Sequence, residues 1–136
     1  MGINNNITIT QLSPKMQEIL NQYAGNVTEK VKTLAKDTAV ELTKNTKRDS
    51  PVKTGEYKRH ISYKKTRETS TSAVYTWYVK DPEYRLTHLL ANGHAKRNGG
   101  RVQGNPYLSE NVIEAEKKFV SGVKEIVANE HLKLKN

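Results

Sequence analysis

Four histidines, a set of arginines and tyrosines, and one glycine-rich cationic loop are the residues of this chain whose types bear on chemistry. His60, His88, His94 and His131 do not fall at metal-binding intervals. There is no His-Glu-x-x-His and no histidine pair at i, i+4 on a helix, and no acid lies between His88 and His94. The chain has no cysteine, which excludes thiolate catalysis, cysteine-ligated zinc and a disulfide framework. Neither a metal nor a cofactor is expected. Asn98-Gly99-Gly100 invites comparison with a phosphate cradle, but the glycine-lysine-hydroxyl ending of a phosphate-binding loop is missing. No Gly-x-Ser-x-Gly nucleophile elbow occurs. One catalytic reading survives. Arg59, His60, Tyr63, His88 and Arg101 are the residue types with which a small basic ribonuclease or toxin cleaves RNA by general acid–base work. The competing reading takes Tyr63 as hairpin packing and the others as surface charges, and the chain is expected not to be an enzyme.

Charge is the stronger signal. The chain has 136 residues and carries 23 Lys and Arg against 14 Asp and Glu, a formal charge of +9. The excess is local. Residues 44–68 hold Lys44, Lys47, Arg48, Lys53, Lys58, Arg59, Lys64, Lys65 and Arg67 against only Asp49, Glu56 and Glu68. The loop that follows Gly93 adds Lys96, Arg97 and Arg101 among Asn98, Gly99, Gly100 and Gly104. The remainder of the chain is neutral on balance. A field confined to two segments fits a partner that is negative on one side, either nucleic acid or an acidic protein face. Tyr75, Trp77 and Tyr78 lie beside these cations and could stack on bases, although alternation puts Tyr75 and Trp77 together on a face suited to core packing.

The elements that must position these groups follow from apolar spacing. Residues 1–12 are polar with slight alternation at Ile3, Ile7 and Ile9, and read as an arm or short strand. They lack the basic and then apolar regions of a secretory leader. Ser13-Pro14 is a helix start, and Met16, Ile19, Leu20, Tyr23, Val27, Val31, Leu34, Ala35, Thr38 and Leu42 then recur in steps of three and four to about Lys47. A helix of roughly 30 residues is about 45 Å long. It must therefore lie against a partner or break, and Gly25 is the candidate break. Pro51 ends it. Residues 57–67 and 73–80 read as an antiparallel hairpin, with Tyr57, Arg59, Ile61 and Tyr63 on one face. Tyr84, Leu86, Leu89 and Leu90 mark a short helix over 83–91. Ala95–Gly104 is an exposed, mobile, hairpin-like loop whose glycines permit positive φ. After Pro106, the spacing of Leu108, Val112, Ala115, Phe119, Val123 and Ile126 gives a last helix to about His131, with 132–136 frayed. The fold class is α+β in one domain over residues 1–136. No apolar run reaches the roughly 18 residues of a membrane-spanning helix.

Ser50-Pro51-Val52-Lys53-Thr54-Gly55-Glu56-Tyr57-Lys58-Arg59-His60-Ile61 resembles the segment that follows the first helix in small head–tail joining, neck and tail-completion proteins of long-tailed bacteriophages, the lambda tail protein Z-like group. His88-Leu89-Leu90-Ala91-Asn92-Gly93-His94 resembles the step before that family's variable loop, and Asn105-Pro106-Tyr107-Leu108 the entry to its last helix. The motif residues are Pro51, Val52, Thr54, Gly55, Leu90, Gly93 and Pro106. Asn111 and Ala91 depart from the pattern. The resemblance implies a non-catalytic virion protein made in the bacterial cytoplasm. It implies assembly as a ring with other neck and tail proteins near the DNA channel, without a membrane. The alternative is a basic nucleic-acid-binding module or a small RNA-cleaving toxin.

Overall fold

The computed structural model describes residues 13–51, 55–81, 87, 90, 93–96 and 98–134. Its spine is α1, Pro14–Asp49. The Ser13 hydroxyl accepts the Met16 amide at 3.2 Å and Pro14 takes the first helical turn, where no amide hydrogen is needed. Gly25 does not interrupt the helix, which runs unbroken for 36 residues, about 54 Å. It stops where Pro51 forces Ser50 out of the helical region.

Gly55, in the left-handed region at φ 82°, starts a short helix α2, Glu56–His60. A strand was expected from residue 57. The helical turn forms instead because Tyr57 and Ile61, both buried, lie four residues apart and so share one side of it. Arg59, which strand alternation would have put beside them, is exposed and pairs with Glu56. The strands β1, Ile61–Glu68, and β2, Ala73–Val79, then form an antiparallel hairpin with Ile61 opposite Val79 and Tyr63 opposite Trp77. A bulge separates Lys65 from Arg67.

Of the helix expected over 83–91, Thr87 and Leu90 are described and helical, while Tyr84, Leu86 and Leu89 lie outside the described residues, as does the arm at 1–12. Two short strands follow, β3, Gly93–Ala95, and β4, Arg101–Gln103, paired antiparallel. The last helix, α3, is Tyr107–Lys133. It runs two residues into the stretch expected to fray, because Lys133 closes the final turn on Glu130 at 3.0 Å.

Among the described residues the buried core is Tyr57, Ile61, Val79 and Tyr107, with Trp77, Leu90 and Leu108 packed on it. The first turn of α3 thus docks on the base of the β1–β2 sheet. The two tyrosines meet edge to face with hydroxyls 2.6 Å apart, and Tyr57 donates onward to Thr87 at 2.9 Å. Burial, and then that bond, push the Tyr107 hydroxyl far above its usual range.

Beyond its first turn, α3 lies antiparallel along α1. Asn111 donates to Asp49 at 3.0 Å, Lys118 to Glu41 at 2.6 Å, and Lys30 pairs with Glu130. Gly122 lets the helices close up, since a Cβ there would sit 2.6 Å from Leu34 Cδ2. The sheet lies on α1 too. The Trp77 indole donates to the Thr46 hydroxyl at 2.9 Å, which itself donates to the Leu42 carbonyl at 2.7 Å. At the hairpin tip Lys32 donates to the Thr69 carbonyl at 2.6 Å.

Thr46→Val keeps the shape but strands the indole N–H, and is expected to cost about 1–3 kcal/mol in chemical denaturation. In a Trp77→Phe background the same change should cost close to nothing. The two helical glycines should separate as well. A Cβ at Gly25 meets no atom within 4 Å, so Gly25→Ala should stabilise by about 0.5–1 kcal/mol, whereas Gly122→Ala must displace Leu34 and should forfeit that gain.

Candidate basic interaction surface

The end of α1, all of α2 and most of β1 hold the larger cationic segment. Its three acids are already taken. Asp49 receives Arg48 through two bonds at 2.7 and 2.8 Å, Glu56 receives Arg59, and Glu68 receives Lys65 at 3.0 Å with Lys32 of α1 at 3.6 Å. Lys44, Lys47, Lys64 and Arg67 form no ion pair among the described residues. The positive excess of this segment is therefore not cancelled within it. Lys53 lies outside the described residues, together with Val52 and Thr54.

Strand alternation divides the cations. Lys65 shares the side of Tyr63 and Trp77 that faces α1. Lys64 points the other way, with its ammonium 4.8 Å from the Tyr78 ring centroid. At the base of the sheet, Asp49 is held well below the usual carboxylate range, first by Arg48 and then by Asn111, with Lys58 adding a favourable field. Asn111, which departs from the resembled pattern, joins Asp49 to the Tyr107 carbonyl, the latter at 2.6 Å.

The second cationic segment carries the short antiparallel pair β3–β4. The amide of Lys96 donates to the Gly100 carbonyl at 3.0 Å and that of Gly99 to the Lys96 carbonyl at 3.3 Å. The turn uses left-handed backbone at Gly99 (φ 92°) and Gly100 (φ 82°), which is why glycines stand there. Lys96, Asn98 and Arg101 are exposed and Gly104 is half-buried. Arg97 lies outside the described residues. The hairpin is anchored where the Asn105 amide meets the Leu90 carbonyl at 2.8 Å and the Asn105 side chain accepts the Tyr107 amide at 2.9 Å. Leu90 and Pro106 flank that anchor, and Gly93 opens β3. Pro51 and Gly55 bound the turn out of α1.

The candidate catalytic set is spread over several elements. Arg59 and His60 end α2, Tyr63 packs on Tyr75 with ring centroids 6.3 Å apart, Arg101 sits on β4, and His88 lies outside the described residues. Trp77 and Tyr75 lie on the packed side of the sheet, and the indole N–H is already bonded to Thr46. No group of three His, Asp or Glu able to hold a metal occurs among the described residues. No described helix is long and apolar enough to cross a membrane.

Two structural groups escaped the pattern of apolar residues. Thr46 continues the α1 stripe four residues after Leu42, and Glu130 continues that of α3 four residues after Ile126. Both obey the spacing but are polar. Glu130 is only 2% exposed and sits between Lys30 and Lys133, which hold its carboxyl below the usual range. Asp49 and Glu68 are depressed likewise, Glu68 chiefly by Lys65. A depressed folded pKa contributes stability above the unfolded value of about 4 and loses it as pH falls below. The melting temperature should therefore be flat from pH 7 to about 5 and drop on further acidification. Glu130→Gln should melt lower at pH 7 and show a shallower acid limb in the same scan.

Residues 14–93, more than half of the chain, match the family described as "Bacteriophage HK97-gp10, putative tail-component". The match takes in α1, α2 and the β1–β2 hairpin and ends at Gly93, where the second hairpin begins. No curated protein and no solved structure matched the chain. A long capped helix, a hairpin laid along it and a glycine turn between them are the matched framework, and the chain belongs to the HK97-gp10-like family of phage tail components.

Proposed function

We propose that this chain is a structural virion subunit that joins or completes the tail at the head–tail junction, in the manner of the lambda tail protein Z-like proteins. In this reading it assembles as a homo-oligomeric ring around the DNA channel, bound to other neck and tail proteins, and carries out no reaction. The observation that supports it most is the uncompensated cationic surface on a tail-component framework. The acids of residues 44–68 are all engaged locally, so Lys44, Lys47, Lys64 and Arg67 present their charge outward, and Lys96 adds its own from the second hairpin, where Arg101 is also exposed. Such a surface suits a polyanionic neighbour, either the DNA in the channel or an acidic face of an adjoining protein. Lys53, Lys58, Arg59, Lys65 and Arg97 belong to the same two segments.

A phage deleted for this gene and complemented from a plasmid tests the reading. Deletion should leave filled heads and separate tails in electron micrographs. Wild-type protein should restore joined particles, and Lys96→Glu with Arg97→Glu and Arg101→Glu should restore at least tenfold fewer at equal expression. Joined, infectious particles from the deletion strain would refute it. So would RNA cleavage by the purified chain that disappears in His60→Ala.

A further inference from the structure

The α1–α3 seam ends before α1 does. The pairs Asp49–Asn111, Glu41–Lys118 and Lys30–Glu130 show the helices antiparallel, with Lys133 coming level with about Val27. The first three turns of α1 therefore project past the end of α3. The apolar stripe that α3 covers from Val27 onward continues into this overhang as Met16, Leu20 and Tyr23, with Ile19 beside it. Met16, Ile19 and Leu20 are 55%, 42% and 47% exposed.

A second apolar surface lies on the flank of α3. Ile113 and Val120, 52% and 50% exposed, line a shallow groove with Glu116, Lys117, Ser121 and Lys124. Val127 and Leu134 continue the line at seven-residue steps. The overhang cannot reach its own groove. Val120 lies opposite about residue 40 of α1, which puts it roughly 30 Å along the bundle from Leu20.

We infer that the Met16–Tyr23 face of one copy seats in the Ile113–Val120 groove of a second copy. This rests on the reading of the chain as a self-assembling subunit. Charge favours a second copy. Two chains of net charge +9 repel through their hairpins, but not here. Residues 14–43 carry Lys15, Lys30, Lys32 and Lys36 against Glu18, Glu29, Asp37 and Glu41, and α3 carries five acids against four lysines. Lys15 and Glu18 are the two charges of the overhang, and Glu116, Lys117 and Lys124 rim the groove, so neither surface carries a single sign. Pairing overhang with overhang would leave the groove bare, whereas overhang into groove covers both apolar faces. The contact is heterologous, so each copy gives one and receives one, and such a contact closes into a ring when its rotation permits. One helix end in one groove covers less than the ~1,200 Å² of a stable pair, so closure is what holds it.

The cysteine-free sequence permits a clean cross-linking test. Ile19→Cys and Val120→Cys are made as separate full-length variants, checked for native helix content by circular dichroism, and oxidised alone and mixed at high concentration. Mixed disulfide dimers should form only in the mixture, and the double variant should give a ladder of multimers. Dimers of Ile19→Cys alone would mean that overhangs pair with each other. A disulfide within one chain between Ile19→Cys and Ile9→Cys would give the stripe to the chain's own first residues. Absence of any cross-link, with the wild-type gene still restoring joined particles, would assign the face to another protein. Each of these three results overturns the inference, and the last leaves the junction reading standing.

Discussion

A 36-residue helix carries a long apolar face, and the rest of the structure depends on how that face is shared. Near its C-terminal end α1 takes the base of the hairpin through Trp77 and Thr46, and further back it takes the hairpin tip through Lys32. Another side takes α3 along the seam that Gly122 makes close. Among the described residues the buried apolar core centres on the Tyr57–Tyr107 pair. Polar anchors then do what a larger core would do elsewhere. Thr46 satisfies an indole, Glu130 is gripped by two lysines, and Asn111 bridges two elements.

Charge is distributed by the same logic. Every acid in the cationic part of the chain is paired with an immediate neighbour, so local ion pairs fasten the turns and leave the surplus outward. The near-neutral surfaces are α1 up to Thr43 and α3. Attraction to a polyanion and contact between like copies can therefore coexist, because they use different faces of the molecule.

Much of this was legible in the sequence. Ser13-Pro14 and Ser50-Pro51 bounded α1, the three-four steps located both long helices, and β-branched and aromatic runs located the hairpin. The error at residues 57–60 has a physical cause. A short stretch with buried groups at 57 and 61 satisfies alternation and helical spacing equally, and the left-handed Gly55 decides in favour of the helix. The second cationic segment reads as a loop because its strands are three residues each and carry little apolar pattern. Thr46 and Glu130 are invisible to a search for apolar residues, although each sits where the stripe's next member belongs. Local pairing of Asp49, Glu56 and Glu68 could be anticipated from proximity in sequence, but the reach of Lys32 to Glu68 could not.

A cryo-electron microscopy map of the purified virion's head–tail junction shows directly whether this chain resides there. A closed ring of copies is expected, each recognisable by one long unbroken helix whose N-terminal turns rest on the last helix of the next copy. A junction map in which all density is assigned to other chains, from virions in which mass spectrometry finds none of this one, would contradict it.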